Sequence, residues 1–159
     1  MKKILSLTLL FCLIALNSCE NEGFPSEAEN ILFGSFAGHC FGNCFNAFQV
    51  DSSKVQSHDA EGHFTFDQYE FQPTRTLDKA AFTEARAIVK GIPSELIDSK
   101  IESYGCPDCA DQGGYFVFFE TDGSRQMVII DTADTNDQSE DIIRFKNNIR
   151  DFIDKYRDQ

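Results

Sequence analysis

Two apolar runs over 115–131 meet at Asp122-Gly123, and no other feature constrains the chain as tightly. Asp-Gly between such runs marks a two-residue type I′ hairpin, because both turn positions need positive φ. A turn of that length also fixes register. Glu120 then faces Arg125, Phe118 faces Met127 and Phe116 faces Ile129, the charge pair contributing about 0.2–1 kcal/mol. The pleat sends Phe116, Phe118, Met127 and Ile129 to one face and Tyr115, Val117, Phe119, Val128 and Ile130 to the other. Both faces are apolar. The hairpin is therefore expected in the middle of a sheet covered on both sides, or lying against a partner.

Helical periodicity supplies a cover. Ala81, Ala85, Ile88 and Val89 share one face of a predicted helix over 78–90, and Gly91 stands at its C-terminal cap. Pro93 opens a further short turn of helix through Leu96 and Ile97. A longer helix is predicted over 139–157, where Ile142, Phe145, Ile149, Phe152, Ile153 and Tyr156 form an apolar stripe. Asp137 with Glu140 reads as its capping box. Strand-like runs over 31–37, 45–50 and 54–57 come earlier, the last two flanking a turn at Asp51-Ser52-Ser53. Phe64 and Phe66 alternate with polar residues, but Tyr69 and Phe71 fall out of phase, which predicts a bulge or break near Asp67-Gln68. The pattern as a whole predicts an α+β fold: a mainly antiparallel sheet with a central hairpin at about 115–131, packed against two helices at about 78–90 and 139–157. With 16 Phe and no Trp, the core is built on phenylalanine.

Lys2 and Lys3 precede an apolar run over 4–16, in the order of an export signal and shorter than the ~20 residues that span a bilayer. The run ends at Leu16-Asn17-Ser18-Cys19. Plain signal cleavage favours small residues at −1 and −3, and Leu16 holds −3. The segment resembles the lipobox of bacterial lipoproteins. That resemblance implies a signal peptide at 1–18, lipid attachment (palmitate-type chains) at Cys19, an acidic flexible tether over 19–30 and a single α+β domain over 31–159. Glu20 and Glu22 resemble the surface-export signal of Bacteroidota lipoproteins, which implies an outer-membrane anchor facing the periplasm or the cell surface. Each buried methylene contributes ~0.8 kcal/mol, and two or more chains make such an anchor stable.

The chain carries a net charge of −12, and loss of Lys2 and Lys3 with the leader makes the remainder two units more negative. Nucleic-acid binding depends on Lys and Arg, so that partner class is excluded. A cationic partner, Ca²⁺ or plain solubility fits the charge.

With Cys12 in the signal peptide and Cys19 carrying lipid, Cys40, Cys44, Cys106 and Cys109 are the four cysteines that remain. In an oxidising compartment they are read first as disulfides. Gly or Pro within each loop favours two local pairs, while spacing leaves the crossed pairings open. Two competing chemistries use the same residues. Cys106-Pro107-Asp108-Cys109 has the spacing of a thioredoxin-like redox motif, but that motif needs a helix N-terminus, and Gly113-Gly114 and a strand follow here. Zinc held by Cys40, Cys44, Cys106 and Cys109, with His39, His58 or His63 as substitutes, is the other. Neither pair is followed by the His of a c-type haem site. Asp131, Asp134 and Asp137, with Asn136 and Glu140, form an acidic stretch that could hold calcium but lacks the alternation and central Gly of an EF-hand loop; solvated, helix-capping carboxylates are the plainer reading. No Gly-x-Ser-x-Gly or phosphate loop occurs, no cofactor is indicated, and His39 beside Cys40 is read as structural.

The run Gly38-His39-Cys40-Phe41-Gly42-Asn43-Cys44 before a strand is similar to small exported domains of Bacteroidota lipoproteins. In these a Cys-Phe-Gly-x-Cys segment leads into a hairpin, and a later strand pair and C-terminal helix complete the domain. The resemblance implies a fold and an address over 31–156 and no catalytic residue. The expected function is a lipid-anchored, non-enzymatic envelope domain that binds a protein or small ligand; the alternative is a thiol-redox or zinc-dependent envelope protein.

Overall fold

Ile31, Leu32 and Phe33 are all buried although they stand at consecutive positions, which a strand permits only where both of its faces are covered. They belong to β1 (Ile31–Phe36), the middle strand of a seven-stranded sheet. The computed structural model describes residues 30–38, 40–61, 70–98, 100–121 and 124–158. The expected export segment, Cys19, the expected tether up to residue 29, His39, His63 and the expected phase break at Asp67-Gln68 lie outside the described residues.

The other strands are β2 (Asn43–Val50), β3 (Val55–Glu61), β4 (Arg75–Thr76), β5 (Ser103–Tyr104), β6 (Gly114–Thr121) and β7 (Ser124–Asp131). Their order across the sheet is β4-β3-β2-β1-β6-β7-β5, antiparallel except where β5 runs parallel to β7. The fold is α+β, as the sequence pattern predicts, but the hairpin is not its centre. β6 and β7 sit to one side of β1, because β1 pairs with β2 along one edge and with β6 along the other. The hairpin register is the one a two-residue turn dictates: Phe116 opposite Ile129, Phe118 opposite Met127, Glu120 opposite Arg125. Asp122 and Gly123 themselves lie outside the described residues. The β2–β3 turn is closed by Asp51, whose Oδ1 accepts from the Ser53 and Lys54 amides at 2.7 and 2.9 Å.

Three helices are described, one more than the two of the expected fold: α1 (Lys79–Lys90) and α3 (Glu140–Tyr156) match the two apolar stripes, and the short α2 (Ser94–Asp98) follows Pro93. Asp78 caps α1 by accepting from the Ala81 amide, and the Gly91 amide returns to the carbonyls of Ala87 and Ile88. The cap of α3 corrects an expectation. Ser139, not Asp137, accepts from the Ile142 amide, and Asp137 turns away to another partner. Arg75 on the edge strand β4 donates to the carbonyls of Tyr156 and Arg157, closing the other end of α3.

α1 lies over β2 and β3, and α3 over β1 and β6, so both pack on the same face of the sheet. Phe33, Phe48 and Phe152 meet there with ring centroids 5.0–5.9 Å apart, among Val117, Phe119, Val128 and Ile130 from the hairpin. The opposite face holds a smaller cluster of Leu32, Phe45, Ala47 and Phe116, against which Phe36, Phe71 and Phe118 pack. Phe45 and Phe116 stack there at 5.3 Å. Two-faced apolarity thus has its physical answer: helices on one side, aromatic side chains on the other. No helix among the described residues is long and apolar enough to cross a membrane.

Candidate functional site at the cysteine-bearing end of the sheet

Antiparallel pairing decides where the cysteines go. Phe36 at the end of β1 lies opposite Phe45 in β2 and Gly114 at the start of β6. The loop that holds Cys40 and the loop that holds Cys106 and Cys109 are therefore delivered to the same end of the sheet. Within each loop the cysteines meet locally: Cys40 with Cys44 and Cys106 with Cys109 form disulfides, their Cα atoms 5.6 and 5.5 Å apart. This is the local pairing that Gly42 and Pro107 favour.

The two loops touch. A Cβ on Gly38 would stand 2.0 Å from Oδ2 of Asp108, so the first loop is held against the second by the absence of a side chain. The other oxygen of Asp108 accepts from the Gly113 amide at 3.0 Å, and Gly113, at φ +70°, has the Phe36 carbonyl where a Cβ would be. Gln112 ties the second loop from within, donating to the Cys106 carbonyl at 3.0 Å while its Oε1 accepts from the Ala110 amide at 2.7 Å. Residues 107–110 form turns and β6 begins at Gly114, so Cys106 does not open a helix.

The acidic stretch borders this end, and its members have separate tasks. Asp131 is buried; its carboxylate accepts from the amides of Cys106 at 2.8 Å and Ala133 at 2.9 Å, with Gln112 Nε2 at 3.4 Å. Burial pushes this carboxyl up, but the two amides, Gln112 and the Lys146 charge outweigh it and leave it below the usual carboxylate range. Asp137 accepts from the Thr135 hydroxyl and from the Gly105 amide at 2.8 Å, and these bonds also lower its pKa. Asp134 pairs with Lys146 at 2.8 Å. Asp131, Asp134 and Asp137 thus serve amides, a hydroxyl and an ammonium at three places. Among the described residues, no three His, Cys, Asp or Glu side chains gather as a metal site. His58 stands on β3 between the rings of Phe45 and Phe71, and its Nδ1 accepts from the Gln72 amide at 3.3 Å.

Sequence reasoning missed Lys146. It is 1% exposed, and its ammonium donates to Gln138 Oε1 and the Ala133 carbonyl at 2.6 Å and to the Asp131 carbonyl at 3.1 Å. The available signal was its place four residues after Ile142, inside the apolar stripe, where a lysine needs acceptors.

Asn46 was missed as well. Ser35, Asn46 and Tyr115 lie side by side at the end of β1, β2 and β6, on the helical face. With Gln112, Arg150 and Asp154 they line a cleft of about 240 Å³ beneath the C-terminal half of α3. Asn46 is 5% exposed and its Oδ1 is buried with no hydrogen-bond partner. An acceptor left so costs about 1–3 kcal/mol. Burial raises the pKa of the Tyr115 phenol; Arg150 opposes the rise, and Asp154 and Asp151 add to it. No protein-family model, curated protein or solved structure matches this chain.

Proposed function

We propose that this chain is a lipid-anchored binding domain of the bacterial cell envelope, held at the outer membrane through acylated Cys19. The observation that carries the reading is the closure of both cysteine pairs within their own loops at one end of the sheet. Disulfides persist in oxidising compartments and are rare in a reducing cytosol, which agrees with the export signal and lipobox-like Leu16-Asn17-Ser18-Cys19. Stapled loops beside a polar cleft suit recognition, since a surface ordered before binding loses little entropy on binding.

Growth of a host expressing the full chain with radiolabelled palmitate tests the anchor. Label in the wild type and none in Cys19→Ala is the expected result; equal label in both overturns it. Thiol alkylation of the folded protein separates the binding domain from a redox or zinc protein. No cysteine of the two pairs is expected to react until reductant is added, and a reactive Cys106 or stoichiometric zinc would reverse the reading.

A further inference from the structure

We infer that the cleft beneath α3 binds a single neutral sugar residue, an assignment that rests on the binding-domain reading and gives it a ligand. Three observations point there. The first is Asn46, a lining residue whose Oδ1 is buried without a hydrogen-bond partner, so that a ligand reaching its carboxamide supplies the missing donor. The second is the chemistry around it: hydroxyls from Ser35 and Tyr115, amides from Asn46 and Gln112, the Arg150 and Arg157 guanidiniums and the Asp154 carboxylate. The lining charges are already engaged: Arg150 with Asp151 at 3.1 Å, and Arg157 with Asp154 at 3.9 Å and with Asp158 at 3.6 Å. A charged ligand would have to compete with these pairs. Hydroxyls that both donate and accept satisfy every group in the set. The third is size. The cleft of about 240 Å³ is smaller than a usual drug-sized pocket and matches one ring of roughly twelve non-hydrogen atoms.

The test is an NMR titration of the isotope-labelled full chain in detergent with D-glucose, D-galactose, D-mannose and N-acetyl-D-glucosamine. Glycine and sodium acetate serve as charged controls. At least one sugar is expected to bind with a Kd on the order of 1 mM, the strength that ordinary ligand efficiency gives a ligand this size. Saturable shifts should appear at the Asn46 side-chain amide and at Ser35 and Tyr115. Asn46→Ala should weaken binding about tenfold or more. Arg150→Ala, at an exposed position that leaves the core intact, should weaken it several-fold. Absence of saturable shifts with every sugar at about 50 mM overturns the assignment. So do shifts centred elsewhere, equal affinity in both variants, equal binding of the charged controls, or only an ordered water on Asn46 in a sugar-soaked crystal. A protein that takes palmitate at Cys19 but fails the titration loses the sugar and keeps the anchor; the converse result separates them the other way.

Discussion

Lys146 and Asp134 form an ion pair whose two ends lie in different media: the lysine side chain is 2% exposed and the aspartate 67%. Most of the lysine's worth is therefore not in the pair. Its ammonium also satisfies Gln138 Oε1 and the carbonyls of Ala133 and Asp131 inside the protein. Lys146→Met should cost about 2 kcal/mol, largely through the buried Gln138 oxygen left without a donor. Asp134→Ala should cost less than about 1 kcal/mol, as exposed pairs do. Urea denaturation of the two variants checks the asymmetry, and equal losses would contradict it.

Asp131 gives the fold an acid-sensitive element. Its folded pKa lies below its ordinary 3.8, because amide donors and Lys146 outweigh burial. A depressed carboxylate contributes stability that is complete above the unfolded pKa and is lost as pH falls through the folded one. Wild-type stability should therefore decline from about pH 4 downward. Asp131→Asn should be less stable at pH 6 and decline less steeply below pH 4, since the group that takes up the proton is gone. Urea midpoints at pH 6 and pH 3 measure both effects.

The parts of this architecture that repeat were legible in the sequence; the parts that depend on one side chain reaching across the chain were not. Hairpin register followed from Asp122-Gly123, and both long helices followed from their stripes, because period and turn type are local properties. The place of β1 at the centre was not local. It depends on β1 pairing with β6, some eighty residues away, and only three consecutive apolar residues at 31–33 hinted at cover on both faces. At the candidate site Gly and Pro within each loop favoured the local cysteine pairing while spacing left the crossed pairings open, and the meeting of the two loops was not legible, since it needs antiparallel register on both edges of β1. Asn46 shows the limit most clearly. An asparagine in a strand reads as solvent-facing, and only the helix laid over it makes it buried.

Contact between the two stapled loops rests on Gly38 and Asp108. With a Cβ 2.0 Å from Oδ2, Gly38→Ala must displace the carboxylate that holds the Gly113 amide. A cost of about 1–3 kcal/mol is expected for overpacking of this kind. Asp108→Ala removes the obstacle together with the bond, so the double variant should be more stable than the sum of the single losses implies, by about 1 kcal/mol or more. A double-mutant cycle from denaturation data measures this coupling, and additivity would mean that the loops do not meet through this pair.

Ser139 and Asp137 divide the work that the sequence pattern assigns to Asp137 with Glu140. Ser139 Oγ accepts from the Ile142 amide at 3.2 Å and also donates to Glu95, at the end of α2 nearest Pro93, whereas Asp137 fastens the Gly105 amide. Ser139→Ala should cost about 1 kcal/mol, as loss of an N-cap does, and expose the first-turn amides of α3 to exchange. Asp137→Ala should leave those amides protected and release Gly105, just before the Cys106 loop. Hydrogen exchange resolved by residue distinguishes the two. Fraying of α3 in Asp137→Ala to the extent seen in Ser139→Ala would return the cap to Asp137, because only a shared capping role predicts the same amides opening in both variants.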